Sequence, residues 1–242
     1  MRAVRKILLL YVFIGLGNLI PISAQTSKID SLKKIIETGV RDTSMVTVLN
    51  TLSTETKDFK KSFEYAEQAN DLATSLNYKL GKAYALKNMG IVEYYQGNYV
   101  AVLDYWLQSL EIFESLQNDL GIANLTNNLG AIYYSQGSSV KAIDYYLRSL
   151  SIAEKLNDPF RITSALSNIG AVYGQMGAYD QALHFRVAIG RFGLEIAAKG
   201  GFGIEAEDRR IEVAAVLHQN RFVIGDELGK QRQAEQDREH DQ

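Results

Sequence analysis

The sequence predicts an all-α fold, a stack of helical hairpins, and three observations predict it. The chain is self-similar at a period of forty residues: Gly90, Gly130 and Gly170 are in phase, as are Gly97, Gly137 and Gly177, and Asn88, Asn128 and Asn168. Each period holds two segments whose apolar residues recur at helical spacing on either side of a glycine-bearing turn. Only two prolines, Pro21 and Pro159, occur in 242 residues. A hairpin of this size cannot bury its apolar face alone, whereas stacked on its neighbours it can.

Residues 1–24 read as a secretory leader. Arg2, Arg5 and Lys6 precede an apolar stretch from Ile7 to Leu16, and Ile22-Ser23-Ala24 offers a small-residue cleavage site ahead of Gln25. The mature chain is therefore expected outside the cytoplasm, periplasmic or extracellular. The alternative is a membrane anchor formed by residues 7–22. That stretch is broken by Gly15, Gly17, Asn18 and Pro21, and it falls short of the roughly 20 apolar residues that span a bilayer.

Residues 25–40 contain a short amphipathic helix around Lys28–Ile36, and Asp42-Thr43-Ser44 supplies a cap for the next one. Residues 41–80 are a degenerate copy of the repeat, with Phe59 in phase with Tyr99 and Tyr65 with Tyr105. Residues 81–120 and 121–160 are full copies. In the latter, Ala123, Leu125, Leu129, Ile132 and Tyr133 form the first helix, Gln136-Gly137-Ser138 the turn, and Ala142, Ile143, Tyr146, Leu147, Leu150 and Ala153 the second. Asn157-Asp158-Pro159 ends that helix, because proline disfavours helical geometry in the residue before it.

Residues 161–190 are a partial copy, in which Phe185-Arg186 stands where Tyr145-Tyr146 stands one period earlier. Residues 191–242 diverge. All fourteen tyrosines lie at or before Tyr179, and from Asp226 to Gln242 nine of seventeen residues are charged, a composition expected to be solvated and poorly ordered. A degenerate capping helix with a polar tail accounts for this, and so does a reading frame that departs from its ancestor near residue 184.

Composition excludes several classes. With 26 basic against 28 acidic groups and a net charge of −2, the chain lacks the basic excess of a nucleic-acid binder. Cysteine is absent, which removes disulfides, thiolate metal sites and cysteine nucleophiles. The three histidines, His184, His218 and His240, are not at ligand spacing, so neither metal nor cofactor is expected. No phosphate loop, H-E-x-x-H or G-x-S-x-G motif is present. Gly200-Gly201-Phe202-Gly203 follows no strand pattern, and Glu205 and Glu207 lie in a charged, solvated stretch.

A glycine inside a helix costs about 1 kcal/mol relative to alanine. Gly90, Gly130 and Gly170 at one phase are therefore expected to mark close helix–helix approach. The residues around them resemble the tetratricopeptide repeat over about residues 41–183. The pattern is met by Leu129-Gly130, Tyr133, Gly137, Ala142 and Tyr146. One period earlier it is met by Leu86, Met89-Gly90, Gly97, Tyr99 and Trp106, with Val102 where alanine is usual. One period later it is met by Leu166, Ile169-Gly170, Tyr173, Gly177, Tyr179 and Ala182. The resemblance implies an α-α superhelix of about three and a half hairpins and a non-enzymatic role. The period exceeds the family's usual length of about 34 residues, which calls for longer helices or longer loops.

The head of the chain also resembles the exported repeat regions of bacterial signalling proteins. In those relatives the repeats often precede a membrane span and a histidine kinase, cyclase or DNA-binding output domain. The alternative reading is thus the sensory half of a truncated signalling protein.

The candidate site follows from the phase. Asn88, Asn128 and Asn168 form a ladder on the first helix of each hairpin. Beside it lie Tyr84, Ile91 and Tyr95, then Asn124, Ala131 and Ser135, then Ser164, Ala171 and Gln175. In the family these helices line the concave face, so the stripe would line a groove. An amide there can donate to and accept from a peptide backbone, which makes a protein or peptide the expected partner. Equally, the asparagines can bond one helix to the next. Lys87 beside Asn88 resembles part of the clamp by which some of these repeats hold a terminal carboxylate, but Asn127 and Ser167 at matching positions carry no charge. Tyr94, Tyr95, Trp106, Tyr133, Tyr134, Tyr145 and Tyr146 form either a stacking surface or, as expected of Trp106, Tyr133 and Tyr146, interhelical packing. An uncapped last repeat is expected either to self-associate or to be marginally stable.

Overall fold

The computed structural model describes the backbone of residues 20–198 and the side chains of residues 28–190. Most of the expected leader, and the tail beyond Ala198, lie outside the described residues. Among those described, every regular element is a helix. In chain order they are α1 (Ile20–Glu37), α2 (Thr43–Glu55), α3 (Phe59–Ser75), α4 (Lys79–Gln96), α5 (Tyr99–Ser115), α6 (Asp119–Ser135), α7 (Ser139–Lys155), α8 (Pro159–Gln175) and α9 (Tyr179–Ala198). The predicted all-α class, with helices packed consecutively as hairpins, is what the chain adopts.

From α3 onward each helix begins twenty residues after the one before it, at Phe59, Lys79, Tyr99, Asp119, Ser139, Pro159 and Tyr179. The turns between them hold only two or three residues, so the long repeat comes from long helices rather than long loops. Helices α4 to α8 run for 17 or 18 residues each.

Capping explains where the helices start and stop. The Asp42 carboxylate accepts from the backbone N–H groups of Ser44 at 2.9 Å and Met45 at 3.0 Å, opening α2. The Ser44 hydroxyl and then the Met45 N–H hold this carboxyl below the usual aspartate range. Asp58, Asn118 and Asp158 cap α3, α6 and α8 in the same way. Pro159 opens α8, since its fixed φ and missing N–H suit the first helical position. The two kinds of turn use different residues in the left-handed region. Gly97 and Gly137 take it at φ 78 and 76 between the helices of one hairpin, whereas Asn77, Gln117 and Asn157 take it at φ 51 between hairpins.

The chain forms two compact units, residues up to Ile112 and residues from Phe113. In the first, α2, α3 and α4 pack around Val46, Leu49, Leu72 and Ala85, and Ala66, Leu86 and Met89 form a second cluster beside Phe63 and Tyr105. Gly90 faces the buried indole of Trp106, and a Cβ at residue 90 would stand inside the ring's van der Waals surface. The Ser109 hydroxyl bonds the carbonyl of Ala83 at 2.7 Å.

The second unit repeats both contacts forty residues on. A Cβ at Gly130 would meet the Tyr146 ring at 2.7 Å, and the Ser149 hydroxyl bonds the carbonyl of Ala123 at 2.9 Å. Ala142, Ile143, Leu150, Leu166, Ile169 and Tyr173 form the core around them. In the last hairpin the aromatic is displaced by one position. Arg186, in phase with Tyr146, is exposed, while Phe185 is fully buried, packs towards Gly170 and stacks on Tyr173 with centroids 5.5 Å apart. No described helix is long and apolar enough to cross a membrane.

Candidate functional site

The predicted asparagine ladder divides on inspection of each unit. Asn88 is only 4% exposed. Its Nδ2 donates to the Asn50 backbone carbonyl at 3.1 Å and side-chain Oδ1 at 3.2 Å. Asn50 Nδ2 in turn donates to the Gly81 carbonyl at 3.0 Å. Asn88 is therefore a strut between α2 and α4, not a side chain presented to a groove. The correction has a physical cause: α2 packs directly against α4, and a buried amide must find its partners there. Among the described residues Asn88 Oδ1, which is buried, has no hydrogen-bond partner.

In the second unit, too, amides of the stripe bond within the protein. Asn168 Nδ2 donates to Asn127 Oδ1 at 2.9 Å, joining α6 to α8. Asn124 Oδ1 accepts from Arg161 Nε at 3.2 Å, and the same guanidinium pairs with Asp158. Asn128 and Ser164 are half-buried and Gln175 is exposed. The sequence pattern named Asn124, Asn127 and Asn168 but not Arg161, the partner of Asn124, and it missed Asn50 altogether, since Asn50 is out of phase with the ladder.

Lys87 is the one cation on the α4 stripe. Its ammonium lies 5.1 Å from the Tyr84 ring centroid, and burial pushes its pKa below the ordinary lysine value. Among the described residues no carboxylate pairs with it. Its backbone carbonyl accepts from Trp106 Nε1 at 3.1 Å, which fixes α5 against this turn of α4. A partly desolvated ammonium without a counter-ion is an anion acceptor, because a carboxylate arriving there meets a weakly hydrated charge.

A second feature sits at the end of α4. Tyr94, Tyr95 and Tyr99 are 42%, 65% and 41% exposed. Tyr95 stacks on Phe59 at 5.6 Å, Tyr94 meets Tyr95 edge-on at 5.7 Å and Tyr99 at 6.2 Å, and Tyr94 stacks on the buried Trp106 at 6.2 Å. Trp106 and Tyr146 are buried against Gly90 and Gly130, and half-buried Tyr133 stacks on Tyr145 at 5.3 Å. The signal that sets the α4 cluster apart is charge. No lysine or arginine lies between Lys87 and Lys141, while Glu93, Asp104, Glu111, Glu114 and Asp119 do. A separate cleft of about 310 Å³ opens among Ile36, Val40, Arg41, Met45, Asp71 and Leu72. Among the described residues no three His, Asp or Glu side chains converge as metal ligands would.

Residues 121–185 match the family model described as tetratricopeptide repeat. Among solved structures the chain is similar to BtubC (BKLC) from P. vanneervenii, with a TM-score of 0.61 and 22% identity over 74% of each chain. It is also similar to aspartyl phosphate phosphatase F from Bacillus subtilis, with a TM-score of 0.64 and 17% identity over 87% of this chain. The match spans 56% of that protein's length. At these identities the likeness is one of fold. Comparison with curated proteins finds no match.

Proposed function

We propose that this chain, a tetratricopeptide-repeat protein, is a non-enzymatic scaffold that docks a protein or peptide segment on the exposed side of α4. Tetratricopeptide repeats imply a protein-interaction scaffold, and the observation that carries the finer reading is the Lys87 ammonium. It is half-buried on the Tyr84 ring and lacks a carboxylate partner among the described residues. A side-chain or terminal carboxylate of the partner would supply that counter-charge. The leader-like residues 1–24 support work outside the cytoplasm as part of the same proposal.

The test is a fluorescence anisotropy titration of the full chain with a labelled (Gly-Glu)4 peptide. Lys87→Ala is expected to weaken binding at least several-fold while leaving the far-UV circular dichroism unchanged. Equal binding by wild type and variant would overturn the Lys87 reading, and no binding at all would overturn the docking reading with it.

Self-association is a second reading, favoured by α9. Tyr179, Leu183 and Val187 recur at one helical spacing and are 73%, 56% and 45% exposed. Sedimentation of wild type beside Leu183→Glu tests it: a larger species lost in the variant supports it, and a wild-type monomer at high concentration contradicts it.

A further inference from the structure

We infer that the aromatic cluster at the end of α4 docks a basic segment of a partner chain, a lysine or arginine side chain lying against Tyr94, Tyr95 and Tyr99. The inference rests on the scaffold reading and names a second surface with the opposite charge preference from Lys87. Three exposed phenol rings form its floor, held at mutual distances of 5.7 and 6.2 Å and backed by the stack of Tyr94 on Trp106. A floor fixed in this way presents its π faces without losing much side-chain freedom on binding.

Charge decides the occupant. The stretch that carries the cluster has no cation from Asn88 to Val140, and within the first unit it contributes Glu93, Asp104 and Glu111. Glu93, Asp104 and Glu67 come from three different helices and act together on the Tyr105 hydroxyl, whose pKa burial and then these carboxylates raise. Glu93 Oε2 accepts from Asn98 Nδ2 at 2.9 Å, a neutral donor that orients the carboxylate and leaves its charge in place. The nearest cations in sequence are Lys87, two turns back on α4, and, on α3, Lys60 and Lys61 beside Phe59, whose ring stacks on Tyr95. A cation over an aromatic face beside a carboxylate is stabilised by both, whereas an acidic segment is repelled by Glu93. A proline-rich segment would use the rings but gain nothing from the carboxylates.

The experiment titrates the full chain with labelled (Gly-Arg)4, (Gly-Glu)4 and (Gly-Pro)4, reading anisotropy at low and moderate salt. Wild type is expected to bind (Gly-Arg)4 more tightly than (Gly-Pro)4, with affinity falling as salt rises. Tyr95→Ala is expected to weaken (Gly-Arg)4 binding by about 2- to 5-fold. Its ring is largely exposed, so circular dichroism should show the fold intact. Glu93→Gln is expected to weaken binding and reduce its salt dependence, and Glu111→Gln, further along α5, to leave it unchanged. Tighter or equal binding of (Gly-Pro)4, no binding of (Gly-Arg)4, or equal binding by wild type, Tyr95→Ala and Glu93→Gln would overturn the inference. A chain that binds (Gly-Glu)4 through Lys87 but not (Gly-Arg)4 overturns this surface alone, and one that binds neither overturns the scaffold reading as well.

Discussion

The indole of Trp106 lies against Gly90 and donates its Nε1 hydrogen to the carbonyl of Lys87, one turn earlier on α4, at 3.1 Å. One side chain thus closes a helical hairpin by shape and by a hydrogen bond. It also stacks on Tyr94, so the fold and the proposed docking surfaces at Lys87 and Tyr94 share it.

Gly90→Ala is expected to destabilise. The added Cβ overlaps the indole, and overpacking costs about 1–3 kcal/mol, more than the roughly 1 kcal/mol an alanine gains in a helix. Gly130→Ala is expected to behave alike through Tyr146. Gly174 in α8 is the control: a Cβ there meets nothing within 4 Å, so Gly174→Ala is expected to stabilise by up to about 1 kcal/mol. Urea midpoints of the three variants check the contrast. If Gly90→Ala and Gly174→Ala shifted the midpoint in the same direction, the close-approach account would fail.

Asn88→Ala is expected to cost about 1–3 kcal/mol, because it leaves the buried Asn50 Oδ1 without its donor. Asn168→Ala, removing a half-buried bond, should cost less. Thermal melts rank the two, and Asn168→Ala costing more would contradict the strut assignment.

The sequence carried the architecture further than it carried the site, for a definite reason. Period, turn glycines and the Gly90–Trp106 and Gly130–Tyr146 pairs repeat because hairpin closure is the same local problem in each copy. Asn88, Asn128 and Asn168 share a phase but not an environment. Asn88 is buried because Asn50, on the degenerate first copy, reaches it, while Asn168 pairs with Asn127 rather than with its in-phase neighbour. A periodic pattern reports what each repeat has in common, and the neighbour that decides burial is the part that differs. Phe185 gives the converse case: the phase pointed at exposed Arg186, and a shift of one residue in α9 brought a different side chain into the same slot.

Tyr173 is 1% exposed, its hydroxyl has no hydrogen-bond partner among the described residues, and burial pushes its pKa well above the ordinary tyrosine value. Tyr173→Phe should keep the stack on Phe185 and remove the unsatisfied group. It is expected to stabilise by about 1 kcal/mol, and a lowered melting temperature would show that the hydroxyl has a role.

Lys87 ties stability to pH. Its folded pKa is lowered from 10.5 by burial, so in the window between the folded and unfolded values the native state binds fewer protons. Stability from this group therefore rises as pH climbs towards the ordinary lysine range, and the deficit is complete below the folded pKa. Lys87→Met is expected to be more stable than wild type at pH 7, with the difference shrinking by pH 10. Urea midpoints at both pH values check this, and a difference that does not change with pH would contradict it.

The most direct test of the docking claim is the reactivity of Lys87 itself. The full chain would be treated with limiting acetylating reagent, with and without saturating (Gly-Glu)4, and each lysine quantified by peptide mass spectrometry. The account predicts that the peptide protects Lys87 while exposed Lys60 and Lys61 keep their labelling. Saturating peptide that leaves Lys87 labelling unchanged would contradict it.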